Sequence, residues 1–200
     1  MFTEKQLNRY AEVIHWGLCR ARSRPFKKED IILIRYDTSA VRLAEIIYKK
    51  LLESEKFPVL RCGATPNMER IFFETAGNRQ LAFQPPGEKE LFTRINGAIS
   101  LLAPVSLTHL SSIEPRKIGK AAEARKPLRD LLDKRESRGE YGWTLAMYPT
   151  EAMARHAGLS QEKYTRQIAR ACFLDRKDPL SHWQTVFKEA GRIKRWLNRL

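Results

Sequence analysis

The amino-acid sequence predicts an α/β protein, a three-layer sandwich with a mainly parallel sheet of about four strands and a helical carboxyl-terminal region. Short apolar runs alternate with segments whose apolar residues recur at helical spacing. The first two apolar runs flank a helix of the length that a right-handed βαβ crossover needs, which makes at least part of the sheet parallel. Since no repeat, low-complexity linker or internal boundary is visible, residues 1–200 are expected to form one domain.

The first half of the chain gives one helix and one clear βαβ unit. Residues 3–23 carry an apolar stripe at helical spacing and predict the first helix. The continuous apolar run at residues 31–34 is typical of a strand covered on both faces. Asp37, Thr38 and Ser39 follow it and are expected to cap the next helix. A second strand is predicted at residues 57–62.

The middle of the chain predicts two more strands and a long helix. Pro66 marks the start of a helix, residues 88–94 suggest one or two further helical turns, and residues 97–103 form the third strand. The pattern over residues 115–138 indicates one long helix, kinked where Pro127 removes a backbone donor. The fourth strand, residues 141–147, is expected to stop at Pro149.

Three helices are predicted after the fourth strand. Thr150 caps the first, Gly158 ends it, and Ser160 opens the second. Tyr164, Ile168, Ala171 and Cys172 share one face of this second helix and predict a core stripe. Asp178 and Pro179 open the third helix, whose apolar residues recur at helical spacing: Trp183, Val186, Phe187, Ala190, Ile193 and Leu197.

Composition limits the class of protein. The sequence shows neither a signal peptide nor a spanning helix, so a cytoplasmic protein without a membrane partner is expected. Cys19, Cys62 and Cys172 are an odd number of widely spaced cysteines, which indicates a reducing compartment and predicts buried thiols. The formal net charge of +14 favours attraction to polyanions, although no nucleic-acid-binding motif accompanies it.

Several phrases in the last third of the chain occur in a characteristic order. They are Gly-Trp-Thr-Leu-Ala-Met-Tyr-Pro-Thr at residues 142–150, Ala-Gly-Leu-Ser-Gln-Glu-Lys-Tyr at 157–164, Arg-Ala-Cys-Phe-Leu-Asp at 170–175 and Asp-Pro-Leu-Ser-His-Trp at 178–183. Lys-Pro-Leu-Arg-Asp-Leu-Leu at residues 126–132 fits the same pattern. With these segments the sequence resembles the amino-terminal half of the thermophilic metallo-aminopeptidase family, the aminopeptidase T/S/II type.

The resemblance implies a two-domain enzyme whose metal ligands lie elsewhere. In the family, Glu, His, Tyr and Asp residues of the carboxyl-terminal domain bind two divalent metal ions, and no position here matches them. His15, His109, His156 and His182 fall in four different predicted elements, without a His-Glu-x-x-His motif. We therefore expect no catalytic residue, metal ligand or cofactor in this chain. The catalytic domain is expected to be absent, so that the chain is a shortened or split product.

Five residues are predicted to line a cleft. Asp37 stands at the carboxyl end of the first strand, where open α/β sheets often bind ligands, although a helix cap also explains it. Tyr148 and Pro149 end the fourth strand and are candidates for a wall toward the missing domain, with strand termination as the alternative. Arg166 and Arg170 are suited to a peptide carboxylate or a phosphate, or form a solvated helix face.

Three functions are compatible with these observations. The first is the amino-terminal domain of a metal-dependent aminopeptidase, which supplies scaffold and channel walls and is inactive alone; the family implies a homodimer and a peptide substrate. The alternative is a stand-alone basic module that binds nucleic acid or another polyanion. The third is a regulatory or assembly subunit that has lost the chemistry.

Overall fold

Four parallel strands form a single sheet in the computed structural model, which describes residues 1–199. They are β1 (Ile31–Tyr36), β2 (Phe57–Cys62), β3 (Gly97–Leu102) and β4 (Gly142–Met147). The order across the sheet is β2-β1-β3-β4, and the register places Ile34 beside Leu60 and Ile99. The predicted α/β class with a parallel sheet is thus confirmed.

Helices lie on both faces of this sheet. The longer ones are α1 (Glu4–Arg20), α2 (Val41–Glu53), α3 (Pro66–Thr75), α6 (Pro115–Ala124), α7 (Lys126–Ser137), α9 (Gln161–Ala171) and α10 (Pro179–Leu197). Shorter ones are α4 (Asn78–Leu81), α5 (Glu88–Arg94), α8 (Glu151–His156) and a 3-10 turn at Thr38–Ala40. None of the helices within residues 1–199 is long and apolar enough to cross a lipid bilayer.

The larger hydrophobic core lies on the face covered by α1 and α2. Alternate strand residues point into it, among them Ile32, Ile34, Ile99 and Leu101, all fully or almost fully buried. The other face has a smaller core, in which Leu33 and Ala98 pack against Phe92 of α5 and Leu128 and Leu132 of α7. Two helical layers therefore enclose β1 and the first part of β3, whereas Leu102 at the end of β3 is exposed.

The second layer does not extend over β4. Trp143, Leu145 and Met147 point to the α7 side of the sheet but remain 50%, 48% and 39% exposed. After β4 the chain turns to the opposite face, since Tyr148 and Ala169 belong to the larger core. An apolar strip of an edge strand is consequently left open.

Two predictions about helices and one about thiols are wrong. The segment 115–138 is two helices rather than one kinked helix, because Pro127 sits in the first turn of α7, where its missing N–H costs nothing. Of the predicted stripe on α9, Ala171 is exposed, whereas Ile168 and Cys172 are partly buried against the larger core, and the fully buried residues of this helix are Thr165 and Ala169. Cys19 and Cys62 are exposed rather than buried, and only Cys172 is partly covered.

A buried ion pair joins the end of α1 to the start of β1. Arg22 Nη2 donates to Asp30 Oδ2 at 2.6 Å, with the two side chains 5% and 11% exposed. The remaining Arg22 donors bind backbone carbonyls of Arg24, Pro25 and Glu140, and the guanidinium lies 3.8 Å from the centre of the Phe26 ring. Asp30 also accepts the Lys27 N–H. Arg22 also donates to the carbonyl of Asn96 at 3.4 Å, so its guanidinium connects the segment between α1 and β1 to the segments that precede β3 and β4.

Candidate functional site at the carboxyl edge of the sheet

Asp37 lies where β1 and β3 end side by side, because parallel strands bring their carboxyl ends to one edge. Its carboxylate makes no cap bond to the following helix, which corrects the capping interpretation. Asp37 Oδ2 instead accepts the backbone N–H of Ala103 at 2.7 Å. The second oxygen, Oδ1, faces Gly63, where a Cβ atom would approach it to 2.9 Å. Glycine at this position therefore leaves room for the carboxylate.

A cleft of about 110 Å³ opens between the segments that follow β1, β2 and β3. This is the topological switch point of the sheet, since β2 and β3 lie on opposite sides of β1. Half of the residues that line it are polar: Asp37, Thr38, Thr65, Glu69, Ser106 and His109. The volume is below the roughly 300 Å³ at which ligand pockets usually begin, so the cleft fits an amino or hydroxyl group rather than a whole peptide.

A histidine–glutamate pair forms one side of this cleft. His109 Nε2 and Glu69 Oε2 lie 2.6 Å apart. The other ring nitrogen, Nδ1, is buried and has no hydrogen-bond partner within residues 1–199. The pair is absent from the predicted site because forty positions separate the two residues and no local pattern joins them.

Helix α3, which carries Glu69, is attached mainly by polar contacts. None of its own residues is buried. Lys117 Nζ donates to the carbonyls of Phe73 at 2.7 Å and Glu74 at 3.1 Å, at the carboxyl end of the helix. The apolar side chains of Met68 and Ile71 are exposed. The wall of the cleft formed by α3 is thus held in place by the polar contacts of Glu69 with His109 and of Lys117 with the end of the helix.

Tyr148 and Pro149 follow β4 at the same edge, but both are buried. The Tyr148 ring packs edge-to-face on Phe2 with centroids 5.7 Å apart. Burial raises the pKa of the Tyr148 phenol, and Glu4 adds a smaller effect in the same direction. The role of Tyr148 and Pro149 as cleft-lining residues stays a prediction.

Thr150 links the segment that follows β3 to the start of α8, the helix that follows β4. Its Oγ1 donates to the carbonyl of Pro104 at 2.6 Å and accepts the Met153 N–H at 3.3 Å as the cap of α8. Thr150 is 4% exposed, so water cannot replace either bond.

Replacing Thr150 with valine is expected to lower the free energy of unfolding by about 2 kcal/mol, because the Pro104 carbonyl and the first turn of α8 lose their partner. Urea unfolding followed by circular dichroism measures the change. Thr185→Val is the matched control, since Thr185 is exposed and bonds only within α10. An equal loss in both variants would contradict the buried cap.

Arg166 and Arg170 line a different groove, between the start of α1 and α9. This groove has a volume of about 370 Å³ and includes Met1, Glu162 and Asp175. Arg166 is paired with Glu162 at 2.6 Å. Among residues 1–199, no carboxylate lies within 4.0 Å of the Arg170 guanidinium. Arg170 is therefore the better anion ligand of the two, and neither shares a groove with Asp37.

The described residues do not supply a metal centre. Within residues 1–199, no three His, Cys, Asp or Glu side chains lie close enough together to hold a metal ion. His109 has one carboxylate beside it, whereas His182 stacks on Phe173 with ring centroids 5.0 Å apart. Burial lowers the pKa of His15, and the charges of Lys56 and Lys50 act in the same direction. The residues that line the two grooves thus do not fit a divalent metal pair.

Comparisons with known proteins identify the family and the fold. The family model described as thermophilic metalloprotease (M29) matches residues 3–200. The chain is similar to the solved structure of wild-type AmpT from Thermus thermophilus, with 16% sequence identity and a TM-score of 0.66. This similarity covers 91% of the present chain but 45% of the AmpT chain, so the chain spans less than half the length of that protein. A search of curated proteins finds no match. The chain belongs to the thermophilic metalloprotease (M29) family.

Proposed function

We propose that this chain is the scaffold half of a cytoplasmic, metal-dependent aminopeptidase that releases amino-terminal residues from peptides. The observation that carries the proposal is the family match over residues 3–200, combined with coverage of 45% of the AmpT chain. A peptidase of this family needs metal ions to activate water and polarise the peptide carbonyl. In the proposal, clustered carboxylates and imidazoles on further polypeptide hold those metals, and a homodimer is the working assembly.

The grooves described above give this half two ways to contribute to substrate binding. Asp37 Oδ1 and the Glu69–His109 pair present acceptors to an amino or hydroxyl group. The Arg170 guanidinium, with Arg166 one turn away, presents donors to a carboxylate. We propose that these residues, with Tyr148 and Pro149 behind the sheet edge, form channel walls, while bond cleavage occurs elsewhere.

The purified chain is expected to release no leucine from leucyl peptides, with or without added Zn²⁺ or Co²⁺, because its described residues do not form a metal centre. Amino-acid release is measured by derivatisation of free amines, and circular dichroism confirms that the chain is folded. Metal-dependent release by the purified chain would overturn the scaffold proposal. Sequencing the gene beyond these codons, in search of clustered Glu, His and Asp codons, tests it independently.

Charge favours a second candidate, a polyanion-binding module. The formal net charge is +14, and α10 carries Lys188, Arg192, Lys194 and Arg195 but only one acidic residue, Glu189. Titration of fluorescent single-stranded RNA at several salt concentrations separates the two functions. Binding that weakens steeply with salt and occurs at submicromolar chain concentration would favour the module.

A further inference from the structure

The cleft between the segments that follow β1, β2 and β3 carries negative charge in a chain that is otherwise basic. The sequence has 37 lysines and arginines against 23 aspartates and glutamates, yet no lysine or arginine lines this cleft. Two carboxylates do, those of Asp37 and Glu69. Within residues 1–199, no lysine or arginine nitrogen lies within 4.0 Å of either carboxylate. The cleft therefore attracts a cation rather than an anion.

The Glu69–His109 pair adds an acceptor that has no donor. The Glu69 carboxylate lies 2.6 Å from His109 Nε2, so the hydrogen of the neutral imidazole is assigned to Nε2. Nδ1 is then a buried acceptor, and no described residue donates to it. Because no hydroxyl group within residues 1–199 bonds to either ring nitrogen, the pair is not arranged to activate a serine or threonine as a nucleophile. An unsatisfied buried acceptor of this kind calls for a donor from outside the described residues.

Gly63 leaves room beside one oxygen of Asp37. Asp37 Oδ2 is occupied by the Ala103 N–H at 2.7 Å, and this bond fixes the carboxylate. A Cβ atom at position 63 would lie 2.9 Å from Oδ1. Gly63 is not among the glycines with a positive φ, so open space rather than a special backbone conformation is what glycine supplies here. Oδ1 thus borders free space on the wall of the cleft.

We propose that this cleft binds the primary ammonium group of a ligand, with Asp37 and Glu69 as its charge partners. An ammonium group has three donors and no acceptor, which matches a wall of carboxylate and imidazole acceptors. A hydroxyl group brings no charge to offset the two carboxylates. A divalent metal ion fits less well, because within residues 1–199 no three His, Cys, Asp or Glu side chains lie close enough to hold one.

The size of the cleft limits what enters it. At about 110 Å³ it holds the ammonium group and the adjacent carbon atoms, and the rest of the ligand would extend past Val105, which is 54% exposed. The amino terminus of a peptide is one source of such a group, and only in naming this source does the inference rest on the proposed function. A lysine side chain or a free amine is the other source.

Titration of the purified chain with leucinamide, followed by heteronuclear amide NMR spectra, tests the proposal. We expect saturable shifts of the Gly63 and Ala103 amide signals, with a dissociation constant on the order of 1 mM for so small a ligand. N-acetylleucinamide has the same side chain without the ammonium group and is expected to cause no saturable shift. Equal binding of leucinamide and N-acetylleucinamide would overturn the proposal.

Butylamine separates the two sources of the ammonium group. Leucinamide binding that is at least about tenfold tighter than butylamine binding would support the proposal and assign the cleft to a peptide amino terminus. Equal binding of both amines would support it and assign the cleft to primary ammonium groups in general. No saturable shift with either amine would overturn it.

Two substitutions test the residues that carry the proposal. Asp37→Asn removes the charge but keeps an oxygen for the Ala103 N–H, and we expect leucinamide binding to weaken by more than about tenfold. Gly63→Ala keeps every charge and fills the space beside Oδ1, and we expect a loss of several-fold. Asp133→Asn is the matched control, since it removes the same charge from an exposed position on α7. Circular dichroism verifies that each variant keeps the fold.

Unchanged affinity in either cleft variant, or an equal loss in Asp133→Asn, would overturn the proposal. None of these measurements involves peptide hydrolysis. Failure of the chain to bind amines would leave the scaffold proposal standing, whereas peptidase activity of the purified chain would overturn the scaffold proposal without changing the measured shifts. The two proposals therefore fail independently.

Discussion

Replacing Asp30 with alanine is expected to lower the free energy of unfolding by about 3–5 kcal/mol, because the change removes one partner of a buried ion pair. The Arg22 guanidinium, 5% exposed, would lose its carboxylate partner and remain as a buried charge. The Lys27 N–H, which also binds Asp30 Oδ2, would lose its acceptor. Urea denaturation followed by tryptophan fluorescence gives the free energy directly.

A matched exposed pair provides the control for Asp30. Lys28 and Glu55 are also 2.6 Å apart, but their side chains are 74% and 61% exposed. Lys28→Ala is expected to change the free energy of unfolding by no more than about 1 kcal/mol, because water and salt screen the pair. Similar losses for Asp30→Ala and Lys28→Ala would contradict the burial of the Arg22 cluster.

Leu101→Ala is expected to destabilise the protein by about 3–5 kcal/mol, whereas Leu102→Ala costs about 1 kcal/mol or less. The two residues are neighbours on β3 and point to opposite faces of the sheet. Leu101 is 2% exposed in the larger core, so its loss leaves a cavity. Leu102 is 41% exposed beside the open strip of β4. Chemical denaturation of both variants measures the difference.

Comparison of Leu101→Ala with Leu102→Ala also tests whether the helical layer on the α7 side of the sheet is incomplete. If a layer of helices covered β3 and β4 on both faces, the two substitutions would cost about the same. Equal destabilisation would therefore contradict the arrangement of α7 and the open strip.

The positions of the strands could be predicted because each strand is marked by a run of residues that are adjacent in the sequence. The run at residues 31–34 is apolar enough to be buried in a parallel sheet, and β1 begins at the same residue. The observed β2 also has the bounds predicted for it, 57–62, although Phe57 and Leu60 are exposed because β2 is an edge strand. The left-handed Gly158 and the Ser160 cap were predictable for the same reason, since a turn or a cap depends on one or two residues. The resemblance over residues 142–183 identified the family, which the match over residues 3–200 confirmed.

The site was less predictable, because its contacts join distant parts of the chain. Asp37 was placed at the correct edge of the sheet, but its partner, the Ala103 N–H, depends on which strand lies beside β1. Glu69 and His109 meet only because α3 and the segment after β3 converge on the same edge. The exposure of one face of β4 could not be predicted either, because an apolar strand pattern does not show whether a helix elsewhere in the chain covers that face.

The polar attachment of α3 has a consequence for the motions of the protein. A helix without buried side chains gains little from the hydrophobic effect, so its amide protons are expected to exchange with solvent through a local opening far less costly than global unfolding. Because Glu69 lies on α3 and contacts His109, we expect such an opening to separate the pair and to widen the cleft at the sheet edge. The volume of the cleft that a ligand can reach is then expected to depend on the equilibrium between the closed state described here and a state in which α3 has opened.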